Sequence, residues 1–177
     1  EGADRARMAR ASKFFVDHGL SIGTLLASSS LLECFAAKAG VKALHATERM
    51  GYSNAERRVG ETAQFVLFVM AADGFEPTGA AIETLLKVRM MHAASRTLIQ
   101  RLPYWSNAEF GVPINQEDLL ATLCTFGYTP LVHLPKLGVK VSKQEAEDYL
   151  YHWGLLGRIL GLREDMIPNS VDEAHAL

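Results

Sequence analysis

The sequence predicts an all-α fold, a single domain of seven to nine helices over its 177 residues. Three observations carry that expectation. Apolar residues recur at spacings of three and four along most of the chain, strand-type alternation is nearly absent, and Ser or Asn repeatedly stands just ahead of acidic residues, as at helix starts. The length is enough to bury a core without disulfide or metal staples.

The first helix is expected from Asp4 to about His18. A second should open near the serines at 28–30 and close at Gly40, a residue suited to a helix C-terminus. A short helix over Lys42 to Arg49 follows, ended by "GYSN". Ser53 and Glu56 form a capping box that starts a helix running to about Ala72. "DGFEPTG" is the turn after it, with Pro77 placed for a first helical turn. The next helix covers Thr78 to about Gln100 and stops at "RLPYW", because the residue before Pro103 is biased away from helical angles. Beyond the loop "SNAEFGVP", Asn115 caps a helix whose first turn holds Gln116, Glu117 and Asp118, acids that complement the helix dipole. Ser142 and Glu145 open another, to about Ile159, with Gly161 beyond its end, and Ser170 and Glu173 open a last short one. The two longest helices are placed in the middle of the chain.

Composition excludes several classes. The chain is 49% hydrophobic and 21% charged with a net charge of −2, and it lacks the basic stripe that phosphate backbones require, so nucleic acid is not an expected partner. No apolar run reaches the ~18 residues of a membrane span. The opening "EGADRARMAR" has no apolar centre of the signal-peptide kind, which favours a cytoplasmic location unless the N-terminus was processed. The absence of an initiator Met, and a final helix that stops within two turns of Ser170, read as truncation at both ends. Cys34 and Cys124 are expected as buried free thiols, being far apart and in apolar helical stretches.

The chemistry concentrates in "KVRMMHAASR", residues 87–96. At about 100° per residue, Arg89, His92 and Arg96 share one side of the helix with Ile82, Leu85, Leu86 and Ala93. The rest of its surface is largely apolar, which predicts a helix buried nearly all round. A buried Arg is costly unless an anion meets it. One reading is a cofactor pocket: neutral His92 gives an imidazole to a metal, and the arginines neutralise carboxylates of the same ligand, a description that haem fits. The other reading has Arg89 and Arg96 reaching solvent, with His92 a satisfied core histidine. The preceding helix repeats the pattern, since Arg58 and Thr62 lie four apart on the side of Phe65 and Val69. A carboxylate beside Arg58 and a backbone acceptor for Thr62 would explain that equally. HExxH, GxSxG, Walker A, GxGxxG and ExxH motifs are absent. His18, His45, His133, His152 and His175 each stand alone, and Trp105 and Trp153 read as core.

Four segments, "RRVGETAQF" at 57–65, "KVRMMHAASR" at 87–96, "FGVPINQEDLLATLCTFG" at 110–127 and "WGLLGRILGLREDMIP" at 153–168, resemble in order the catalytic domain shared by latex clearing proteins (rubber oxygenases) and the endoplasmic-reticulum-bound oxygenases of mycophenolic acid biosynthesis. The resemblance implies a haem b protein with a globin-like helical arrangement. By the same resemblance His92 binds the iron, Arg89 and Arg96 flank it toward the propionates, and Arg58 and Thr62 lie on the distal side. One departure stands out: where the rubber oxygenase has a lysine before the threonine, this chain has Glu61, which implies an acid/base group or a partner for Arg58. The implied activity is oxidative cleavage of a carbon–carbon double bond by dioxygen, in an isoprenoid or another apolar unsaturated substrate. Two other classes remain open. A haem carrier or sensor would bind the cofactor without turnover, and a cofactor-free helical interaction module would pair its arginines with acids.

Overall fold

The computed structural model describes residues 2–30, 38–49 and 55–177. Nine α-helices occur among them: α1 (Arg5–Leu25), α2 (Lys38–Arg49), α3 (Ala55–Met70), α4 (Ala81–Ile99), α5 (Asn107–Phe110), α6 (Gln116–Gly127), α7 (Thr129–His133), α8 (Lys143–Leu160) and α9 (Val171–His175). A π-helical turn, Leu26–Ser30, continues α1, and 3-10 turns cover Leu134–Leu137 and Glu164–Met166. No strand occurs among the described residues.

The caps explain most of the starts. Asp4 accepts from the backbone N–H groups of Ala6 and Arg7, and complete capping boxes join Asn115 to Asp118 and Ser142 to Glu145. At α9 the box is split, because Ser170 caps Glu173 while Glu173 reaches back to the N–H of Asn169. Gly161 ends α8 at φ 98, a left-handed conformation that glycine adopts without a side-chain clash.

α8 is the centre of the molecule. It packs on α1, α6 and α4, while α3 and α4 pair as a helical hairpin. Tyr149, Trp153 and Leu156 of α8 meet Phe14 and Ile22 of α1, Met70 of α3, Leu85 of α4 and Phe126 of α6 in one core. Phe126 stacks on Trp153 at 5.2 Å, and the backbone there is close enough that only a glycine fits at 127. A Cβ on Gly127 would lie 2.8 Å from the Cβ of Trp153. Gly127→Ala is therefore expected to lower stability by about 1–3 kcal/mol through overpacking, measured as a lower thermal midpoint in circular dichroism.

Two polar groups are buried along the same helix. Asp148 is 1% exposed and receives Nε of Arg7 at 2.8 Å, Nε of Arg10 at 2.6 Å and the amide of Gln144 at 2.9 Å, which fastens α1 to α8. His152 lies 2.8 Å from the carbonyl of Val69, and since a carbonyl only accepts, Nε2 carries the proton. That bond satisfies one of the last carbonyls of α3.

Several expectations need correction. α1 runs on to Leu25 and at 21 residues is the longest helix among the described residues, so the longest ones are not both central there. Gly19 and Gly23 weaken a helix interior but do not end it, and buried Ile22 and Leu25 offset their cost. Gly40 lies inside α2 instead of ending a helix, and residues 31–37, with Cys34, lie outside the described residues, as does "GYSN" with its Ser53. α3 stops at Met70, and α4 begins at Ala81 because Pro77 belongs to the turn before it. The loop after Trp105 holds the single turn α5, capped by Ser106. Cys124 is a free thiol of intermediate burial, and burial pushes its pKa up.

Candidate functional site

α4 was expected to be buried all round, and it is not. Leu85 and Ile99 are fully buried, but Met90 is 72% exposed and Met91 57%. An apolar composition on every face does not supply neighbours for every face: α4 packs on α3, α8 and α2, and the remaining flank is open. Along one edge of α4, exposed Arg89 and Ala93 and half-buried His92 and Arg96 border a cavity of about 500 Å³. Its opposite walls are Val112, Ile114, Asn115 and Gln116 from the segment before and into α6, Leu119 of α6, and Leu160 and Gly161 at the end of α8.

His92 has the character of an unused ligand. Its Nδ1 is buried and has no hydrogen-bond partner. Burial, and then the nearby charge of Arg96, hold its pKa below the ordinary histidine value, so the ring stays neutral near pH 7. A neutral imidazole keeps a lone pair for a metal.

Arg89 is exposed, as the solvent-reaching reading has it, and Arg96 is half-buried, yet both also donate to main-chain carbonyls. Arg89 Nη1 donates to the carbonyl of Ile159 at 2.9 Å, at the C-terminal end of α8 where carbonyls lack helical partners. Arg96 donates from Nε to Pro113 O at 3.1 Å and from Nη2 to Ile114 O at 2.6 Å. Gln116 closes the third seam, donating to Gly161 O at 3.0 Å and accepting from the N–H of Arg163 at 2.7 Å. The cavity wall is thus pinned through main-chain groups on three sides.

Arg58, Thr62 and Glu61 do not line this cavity. Arg58 reaches the carbonyl of Leu44 in α2 at 3.4 Å, and Thr62 is partly buried on α3. Glu61 pairs with Arg57 at 2.7 Å, and both are half exposed or more. The expected partnership with Arg58 gives way to that pair, whose i,i+4 spacing suits an ion pair on an exposed face. Sequence reasoning overlooked Ile114 and Gln116 as wall residues. Gln116 had a place only as a first-turn residue, and nothing in an isoleucine announces the positive φ of 53° that Ile114 adopts. Among the described residues, no group of three or more His, Cys, Asp or Glu side chains could hold a metal ion, and no helix is long and apolar enough to cross a membrane.

Residues 17–177 match the family described as "ER-bound oxygenase mpaB/B'/Rubber oxygenase, catalytic domain". The chain is 30% identical over 176 residues to the rubber oxygenase of Streptomyces sp. (strain K30), covering 98% of this chain and 43% of that protein. Its fold superposes on latex clearing protein LCP in the closed state with a TM-score of 0.85 at 29% identity, covering 98% of this chain and 47% of the other. The chain therefore spans less than half the length of the relatives it matches.

Proposed function

Because the chain belongs to the catalytic-domain family of the ER-bound oxygenases mpaB/B' and the rubber oxygenases, we propose that it is a haem b-dependent oxygenase that cleaves a carbon–carbon double bond in an isoprenoid or similar apolar substrate. The observation that carries the cofactor is His92: a half-buried, neutral imidazole whose buried Nδ1 is orphaned, set between two arginines on a cavity wall. The cavity falls within the ~300–1,000 Å³ usual for small-molecule sites.

His92 would ligate the iron, and Arg89, with donors beyond the one given to Ile159, would meet a propionate. Haem, when bound, supplies the redox-active iron that dioxygen chemistry requires. Val112, Ile114, Leu119 and Leu160 supply an apolar part of the wall, opposite the polar groups of α4, which suits an unsaturated hydrocarbon. Arg58 and Thr62, on the helix paired with α4, are proposed to shape the oxygen-binding side. Glu61 enters only if its ion pair with Arg57 opens.

The test is a visible spectrum and pyridine haemochrome assay of the protein with added haem, followed by oxygen uptake with polyisoprenoid oligomers. A Soret band with substrate-dependent uptake is the expected result. A Soret band without uptake would leave a haem carrier or sensor. A protein that takes up no haem would leave a cofactor-free module, and would overturn the proposal.

A further inference from the structure

Ile114 sits at φ 53, a left-handed conformation that is a real outlier for a β-branched side chain. It lies on the rim of the His92 cavity, and its carbonyl accepts the shorter of the two bonds from Arg96. Residues at both ends are also fixed. Trp105 Nε1 donates to Gly111 O at 3.2 Å, and the N–H of Asn115 donates to Asp118. Strain of this kind persists only where the surroundings over-determine it. Arg96 supplies that determination with a planar fork, Nε to one carbonyl and Nη2 to the next, which a lysine ammonium cannot reproduce.

We infer that Arg96 is a positioning residue: it shapes the pocket around His92 by holding Ile114 in its strained conformation, and does not act by neutralising a carboxylate of the ligand. The inference rests on the haem reading for its ligand, but the Arg96–Ile114 latch is a property of the chain alone. Two N–H groups of the guanidinium are spent on the wall, and the carbonyls they satisfy would lose their partners if Arg96 turned to a ligand.

Haem and haem dimethyl ester separate the two roles, since the ester has no carboxylates. Arg96→Ala is expected to weaken binding of both by about ten- to a hundredfold, the range for losing bonds from a charged donor. Arg96→Lys, which keeps the charge, is expected to behave like Arg96→Ala. Ile114→Gly takes a positive φ without strain, so adding Arg96→Ala to it should cost less than adding it to the wild type. A penalty that vanishes with the ester, or full rescue by Lys, would overturn the inference in favour of a charge role. A second readout needs no cofactor. Trp105 is bonded to the strap and Trp153 is 2% exposed, so iodide quenching of the haem-free protein reports on Trp105. Quenching should rise in Arg96→Ala and in Arg96→Lys, and an unchanged value in both would sink the latch. If the wild type bound neither haem nor its ester, the cofactor reading would fail while the quenching experiment still decided the latch.

Discussion

His92→Ala is expected to lack the Soret band expected of the wild type with added haem, and substrate-dependent oxygen uptake should fall to background with it. Removing an outer-shell partner of a metal ligand typically costs about 10–100-fold in affinity, so removing the ligand itself should cost at least the upper figure. The neighbourhood offers no substitute. Among the described residues no His, Cys, Asp or Glu cluster stands nearby, and the other wall groups are apolar, amide or guanidinium. The substitution also leaves space, so free imidazole is expected to enter it and restore part of the band. Restoration would assign the loss to the missing nitrogen. A His92→Ala protein with an unaltered spectrum would move the iron to another residue.

The second large effect concerns stability. Asp148→Ala is expected to cost about 3 kcal/mol, the lower end for breaking a buried ion pair, because Arg7 and Arg10 are partly exposed and regain water. For a chain of this size that lowers the thermal midpoint by roughly 6–12 °C. Arg10→Ala, which removes a side chain 49% exposed, should cost far less than Asp148→Ala. Two groups on α8 contribute to the pH dependence, and His92, also held below its ordinary value by burial, shares the upper loss. Burial alone would raise the pKa of Asp148, but the bonds from Arg10, Gln144 and Arg7 outweigh it and hold the carboxyl below the ordinary aspartate value. Its stabilisation is complete above that ordinary value, near 4, and is lost as the pH falls through the lower folded value. Burial holds His152 neutral below the ordinary histidine value, so its share fades as the pH falls from about 6.5. Urea titrations across pH should show both losses. His152→Gln should flatten the upper one and Asp148→Asn the lower one, and an unchanged profile in either variant would remove that group from the account.

What the sequence determined by itself is local. The caps at Asn115 and Ser142, the stop at Gly161 and the helical period follow from interactions within a few residues, and they place α6 and α8 within a residue or so. The i,i+3 and i,i+4 spacing of Arg89, His92 and Arg96 put them on one stripe for the same reason, and the four resembling segments carried the family. The tertiary structure decided what each stripe meets. The arginines of α4 found carbonyls at Ile159, Pro113 and Ile114, partners that lie 17 to 70 residues away and carry no side-chain signature. Gly40 within α2 read as a stop because propensity is a weak local term, and burial of Ala43 and Ala46 overrode it, as burial of Ile22 and Leu25 carries α1 past Gly19 and Gly23. The strained φ of Ile114 is not announced by the residue itself: Arg96, Trp105 and the capping box of α6 grip one short segment together.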